Sequence, residues 1–229
     1  MGRETGAFVT VDILARQVVS AADKAGSGRR YLLGIAGPPA TGKSTFAARL
    51  CAALNRPVAD LAAVAPMDGF HRTTAELRAL GELEIKGQPR TFAVNAFTAA
   101  LRELRNSVPG ARFGWPLYDR ESHDPVPGGV VLREHRIVIV EGNYLLLDEP
   151  GWRDIRALLD ECWYLDAGTA SIEQRLYERH RAGGKTPEVA RERIAHNDLP
   201  NAALVAGTRG RADLVLTARD EKYLVREAR

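Results

Sequence analysis

Residues 37–44 read GPPATGKS, an unbroken GxxxxGK(S/T) pattern. Glycines in such a loop let the backbone curl until successive N–H groups converge on phosphate oxygens. A helix that starts immediately afterwards points the positive end of its dipole at the same spot. Lys43 would then reach the β and γ phosphates of a nucleoside triphosphate, and the Ser44 hydroxyl would be placed to ligate Mg²⁺. Gly37, Pro38, Pro39, Ala40, Thr41, Gly42 and Thr45 complete the expected nucleotide-binding set. A plain glycine turn is the bland alternative, but YLLGIA before the loop and FAARLCAAL after it supply the strand and helix that a phosphate loop requires. A dinucleotide turn is excluded because GxGxxG is absent. The lack of an NKxD-type motif argues against a guanine nucleotide switch, and the short chain argues against a motor.

Two acids and a group of arginines could work on the same phosphates. Asp68, in PMDGFH, follows a second apolar run and so sits at the carboxyl end of a strand, where ligands bind in open parallel sheets. It could accept the proton of an attacking hydroxyl or hold Mg²⁺ through water, or it could be an ordinary Asp-Gly turn. Glu141 directly follows the run IVIV. A buried carboxylate there is costly without a cation, so it is a candidate metal ligand, with helix capping as the structural alternative. In SIEQRLYERHRAGGKTPE, Arg175 and Arg179 share a helix face, and two glycines and a Thr-Pro-Glu helix start follow. Such a hinged helix pair suits a lid, spanning about residues 175–187, that closes over the nucleotide and brings guanidinium groups to the moving charge. Solvated Glu–Arg pairing with Glu173 and Glu178 is the competing explanation.

These groups need a scaffold. Apolar runs at 31–36, 62–67, 137–140, 162–165 and 213–217 alternate with amphipathic stretches at 43–54, 94–105, 152–160 and 171–181, after a first helix at about 11–25. The alternation predicts βαβ units, with a five-stranded parallel sheet between two helical layers and a small helical lid. Gly/Pro-rich segments at 81–91 and 108–129 are expected to be long ordered excursions at one sheet edge. No composition shift or repeat divides the 229 residues, so a single domain over 1–229 is expected. Apolar residues make up 45% and charged residues 27%, values that fit a globular chain. The longest apolar stretches are too short to cross a bilayer, and no signal peptide opens the chain, so a cytoplasmic protein with no membrane partner is expected. Cys51 and Cys162 form no disulfide framework. The net charge of +3 comes from scattered arginines, which suits a phosphate-rich small ligand and gives no support to nucleic acid.

Taken together, GPPATGKS, MDGFH, KGQPRTF, WPLYDRESHDPVP, VEGNYLLLD, RLYERH and HNDLPNA resemble the P-loop kinases related to uridine kinase, phosphoribulokinase and bacterial pantothenate kinase. Within that group they are most similar to the branch labelled fructose-transport-system kinase, or nucleoside/nucleotide kinase family. The resemblance covers about residues 32–216. It implies the P-loop NTPase fold, ATP and Mg²⁺ as cofactors, and a small-molecule acceptor; a homodimer is compatible with it. It implies that Asp68 is the catalytic base, that Glu141 is the second acid of the metal site, and that Arg175 and Arg179 contact ATP phosphates. It places His71, Tyr118, His123 and Glu141 at the acceptor. Uridine kinases hold the ribose hydroxyls with an acid in their HPDAFD segment. Here Arg90 occupies that place and Ala93 replaces the final Asp. A guanidinium donates but cannot accept, so it suits a carboxylate or phosphate better than a ribose diol. A sugar or sugar-like acceptor is therefore expected ahead of a nucleoside or pantothenate. Asn197, Asp198 and Asn201 either line a pocket or cap a helix. An ATP-binding regulatory partner of a transport system is the reading from another class, although it would need no base, metal acid and lid together.

Overall fold

In the computed structural model, which describes residues 6–228, the five apolar runs form the parallel middle of a seven-stranded sheet. The chain opens with β1 (Ala7–Thr10) and α1 (Val11–Lys24), followed by β2 (Tyr31–Ala36), α2 (Lys43–Leu54) and β3 (Ala62–Pro66). Next come α3 (Thr74–Ala79), α4 (Val94–Asn106), the paired strands β4 (Phe113–Asp119) and β5 (Asp124–Leu132), and β6 (Ile137–Gly142). The last third holds α5 (Ile155–Leu158), β7 (Glu161–Asp166), α6 (Thr169–Ala182), α7 (Pro187–Arg193), α8 (Leu199–Ala206), β8 (Leu214–Arg219) and β9 (Lys222–Glu227). Sheet order is β1-β9-β8-β7-β2-β6-β3. The pairs from β8 to β3 are parallel, while β9 runs antiparallel to β8 and β1 antiparallel to β9. The expected five-stranded parallel sheet is thus present and is widened by two antiparallel strands.

Alternation along each central strand divides the core. Ile137 and Ile139 join Leu33, Ile35, Phe46 and Leu50 beneath α1 and α2. Val138 and Val140 pack on the opposite face with Leu32, Phe97, Leu101 and Trp115. The strands are apolar on both faces because helices cover both, as parallel sheets require. Glu141 continues the register of Ile137 and Ile139, so it emerges on the side of α2. It pairs with Ile35 of β2 and Pro66 of β3, which brings the ends of three neighbouring strands to one level.

The excursion at 108–129 is a β-hairpin beside the β3 edge. Trp115 fixes it there by donating its indole Nε1–H to the Pro66 carbonyl at 2.9 Å. Prolines 116, 125 and 127 can sit in these strands because the two-stranded ribbon leaves half of its N–H groups unpaired. The helix expected over 152–160 shortens to α5, since hydrogen-bonded turns from Glu149 occupy its first residues.

Candidate active site

The loop before α2 adopts the shape its glycines predict. Gly37 has φ +148°, and a Cβ there would lie 2.4 Å from the Leu165 carbonyl oxygen, so only glycine lets β2 turn away so closely beside β7. Gly42 caps α2 in the left-handed region at φ 95°. Thr41 closes the loop on itself, donating its hydroxyl to the Pro38 carbonyl at 2.9 Å. Lys43 is buried and donates to that same carbonyl at 2.7 Å. Burial pulls its pKa down to about 8, against the upward pull of Glu141 and Asp68.

Ser44 donates its hydroxyl to Glu141 Oε1 at 3.1 Å, so the loop hydroxyl and the strand-end acid meet directly. Glu141 is buried, and desolvation together with the Asp68 charge raises its pKa, while Lys43 and the Ser44 hydrogen bond oppose the rise. Asp68 stands on a single 3-10 turn, Met67–Phe70, at the end of β3. Its charge is felt at Lys43, Glu141, His71, Tyr118 and Tyr144, so it lies at the centre of the cluster. His71 donates its N–H at 3.1 Å and Nδ1 at 2.8 Å to the Asp68 carbonyl, which locks the turn.

Of the two arginines expected in a lid, Arg175 points back to the loop. Arg175 donates from Nη1 to the carbonyls of Ala40 at 3.3 Å and Thr41 at 3.4 Å. Arg179, one turn further along α6, is close enough for its charge to depress the Lys43 pKa. Beyond Gly183 and Gly184, Thr186 caps α7 by accepting from the Val189 N–H at 3.4 Å.

The other wall is aromatic. His71 lies 4.0 Å from the Phe92 ring and 4.8 Å from Tyr118, centroid to centroid. Tyr118 donates its hydroxyl to the His123 carbonyl at 2.9 Å, and burial raises its pKa to about 12. It is this carbonyl of His123, in a left-handed turn at φ 56°, that the neighbours use; the imidazole itself is exposed. Lys86 sits 5.4 Å from the Tyr118 ring centroid and donates to the same carbonyl at 2.6 Å. Arg90, just after the KGQP turn, is exposed, lies 3.7 Å from Glu82 and lines a hollow shared with Gln88, Glu149 and Asn201.

Comparison with known proteins gives this arrangement a family. Residues 32–220 match the phosphoribulokinase/uridine kinase family. The chain belongs to that family. It is 36% identical over 195 residues to YggC of Escherichia coli K12, spanning 84% of this chain and 80% of that one. It is 35% identical to a Schizosaccharomyces pombe protein provisionally named a uridine kinase, over 82% of this chain and 83% of the other. Among solved structures, a protein of Silicibacter sp. TM1040 provisionally named a fructose transport system kinase superposes with a TM-score of 0.82 at 36% identity. The match covers 92% of this chain and 100% of that one.

This kinase therefore uses its P-loop for ATP. Its oxygen donors also fit Mg²⁺: one hydroxyl and two carboxylates are hard ligands, and a divalent cation would relieve the burial cost and mutual repulsion of Glu141 and Asp68. Among the described residues no group of three or more His, Cys, Asp or Glu forms a metal cage. Mg²⁺ commonly takes such a partial site, with phosphates and water supplying the other ligands. Three residues of the kinase site escaped sequence reasoning. Lys86 and Tyr144 lie inside the segments KGQPRTF and VEGNYLLLD without an assigned role; Lys86 ties the KGQP turn to the His123 carbonyl, and Tyr144 holds it through a 2.6 Å bond to the Gly87 carbonyl. His180 stands inside RLYERH, where the arginines are the more conspicuous residues. None of the described helices is long and apolar enough to cross a membrane.

Proposed function

We propose that this kinase transfers the γ-phosphate of ATP to a hydroxyl of a small polar metabolite, a sugar or sugar-like acceptor. The observation that carries the proposal is the meeting of Lys43, Glu141 and Asp68 at the ends of three adjacent strands, with Ser44 bonded to Glu141. Asp68 takes the proton of the acceptor hydroxyl as the new O–P bond forms and the bond from the γ-phosphorus to the β–γ bridging oxygen breaks, releasing ADP. Lys43, Arg175 and Arg179 hold the phosphate oxygens, and the backbone of residues 37–45 cradles them. Ser44, Glu141 and Asp68 would hold Mg²⁺, which supplies charge neutralisation on the β and γ phosphates when bound.

His71, Tyr118 and the turn at His123 form the wall against which the acceptor rests, and Arg90 reads an anionic or strongly polar group on it. A uridine-type activity is the second reading. It is favoured by the name of the S. pombe relative and by the His71–Tyr118–Phe92 aromatic stack, which could face a base. A phosphate-transfer screen over sugars, sugar acids, nucleosides, pantothenate and glycerate decides between them. Transfer to a sugar-like compound with none to uridine supports the first reading. Efficient uridine phosphorylation would replace it with the second, and no transfer to anything would sink both.

A further inference from the structure

Between α7 and α8 the chain makes a π-helical turn, Ile194–Asp198, in which the N–H of Leu199 bonds the Ile194 carbonyl five residues back. Pro200 explains the slip in the ladder: it has no N–H to give the carbonyl four residues before it, so the helix widens there. The widened turn directs two consecutive polar side chains inward, and both Asn197 and Asp198 are buried. Single π-turns within helices recur at functional sites.

Each of these side chains reaches a different part of the site. The two oxygens of Asp198 are divided: His180 of α6, itself buried, donates Nε2–H to Oδ2 at 2.7 Å, while Oδ1 faces Arg179 Nη2 at 4.0 Å. Asn197 accepts from Gln88 Nε2 at 3.1 Å and donates to the Lys86 carbonyl at 3.4 Å. Arg193, just before the turn, donates to the carbonyls of Glu84 at 2.9 Å and Lys86 at 3.2 Å. A purely structural His–Asp clasp would need only one carboxylate oxygen. Here the second oxygen is left for the arginine whose charge reaches Lys43.

We propose that Asp198 is a positioning residue: clamped by His180, its carboxylate orients the Arg179 guanidinium toward the nucleotide phosphates. Asn197, on the same turn, ties that setting to the acceptor-side loop of residues 86–89. The geometry suits this task, because a half-exposed arginine has many rotamers and a fixed, buried carboxylate restricts them before the nucleotide arrives. The inference rests on the phosphotransfer reading above.

The test uses the full chain with MgATP as the probe and ADP formation as the readout. Asp198→Asn keeps an oxygen for the His180 donor and removes the charge that faces Arg179. Its melting temperature should stay within a few degrees of the parent, with kcat down roughly tenfold. Arg179→Ala should lose more, and the double variant should be no worse than Arg179→Ala alone, because Asp198 acts through that side chain. Kinetic constants unchanged in Asp198→Asn, or losses that multiply in the double variant, would overturn the proposal. Should Asp198→Asn not fold, the same cycle with His180→Asn, whose amide stops short of the carboxylate, decides by the same two criteria. Lys43→Ala run in parallel separates the layers. If it turns over normally, the phosphotransfer reading itself has failed. If it is dead while Asp198→Asn is normal, only the positioning role has.

Discussion

At the scale of single residues, Lys43 carries a pH signature. Its folded pKa of about 8 lies below the ordinary 10.5, so the folded chain bears the full cost of the buried charge below pH 8. That cost fades as pH rises toward 10.5, and Lys43→Met should stabilise the free protein most at pH 7 and least near pH 10. ATP phosphates held against Lys43, as proposed above, would reverse the bias and restore the proton. Binding near pH 8.5 should therefore take up a substantial fraction of one proton, and binding at pH 7 much less. Calorimetry in buffers of different ionisation enthalpy measures this, and an uptake that is flat with pH would separate Lys43 from the phosphates. Asp68→Asn should fold and bind ATP yet lose about two to four decades of kcat, the span of a general base. A fall under threefold would make Asp68 a turn residue. Arg90 is exposed and pairs with Glu82 at 3.7 Å, so its side chain can turn to a ligand. Arg90→Ala should raise KM for the true acceptor about ten- to a hundredfold with KM for ATP nearly unchanged, and Arg90→Lys should rescue it only in part. Two flat constants would mark Arg90 as a solvated loop residue.

At the scale of elements, the site depends on how closely the hairpin presses on the turn that bears Asp68. Gly69 is the contact point: a Cβ there would lie 2.1 Å from the Pro116 carbonyl oxygen and 2.5 Å from its carbon. Backbone meets backbone, so no side chain can yield. Gly69→Ala should destabilise by about 1–3 kcal/mol, as overpacking does, and displace the hairpin from Asp68, lowering kcat while ATP binding persists. Parent-like stability and turnover in this variant would mean that the hairpin moves freely. The sequence revealed the elements unevenly, for physical reasons. The parallel strands and α2 were legible because burial on both faces leaves continuous apolar runs such as YLLGIA and IVIV. β1 and β9 were not, since the antiparallel strands at that side of the sheet are short and, as in KYLVRE, mix charged with apolar residues. β4 and β5 were hidden by their prolines and glycines, which read as loop. Within the site, the motif residues were visible one by one, whereas the junction of His180, Asp198, Asn197 and Gln88 joins segments far apart in the chain and needs the fold to appear.

At the scale of the whole molecule, the sheet runs unbroken between the two large core clusters, and the ATP loop follows β2, the middle one of the five parallel strands, between β7 and β6. A ligand held there would touch the loop, neighbouring strand ends and α6 together, so its binding energy should act on the described sheet as one unit. Three tryptophans report on the two faces of the sheet: Trp115 of the hairpin and Trp152 share one core cluster, and Trp163 lies in the other. Thermal unfolding followed by fluorescence and by circular dichroism should give one coincident transition. MgATP at about a hundred times its Kd adds roughly 2.7 kcal/mol. For a domain of this size each kcal/mol raises Tm by about 2–4 °C, so the expected shift is about 5–10 °C, moving both probes together. Lys43→Ala should remove most of it. A shift confined to one probe, or separate transitions for the hairpin and the sheet, would show that the hairpin wall folds independently of the nucleotide site. The hairpin contact at Gly69 and the Trp115–Pro66 bond argue against such a division, because each fastens the wall to the strand end that carries Asp68.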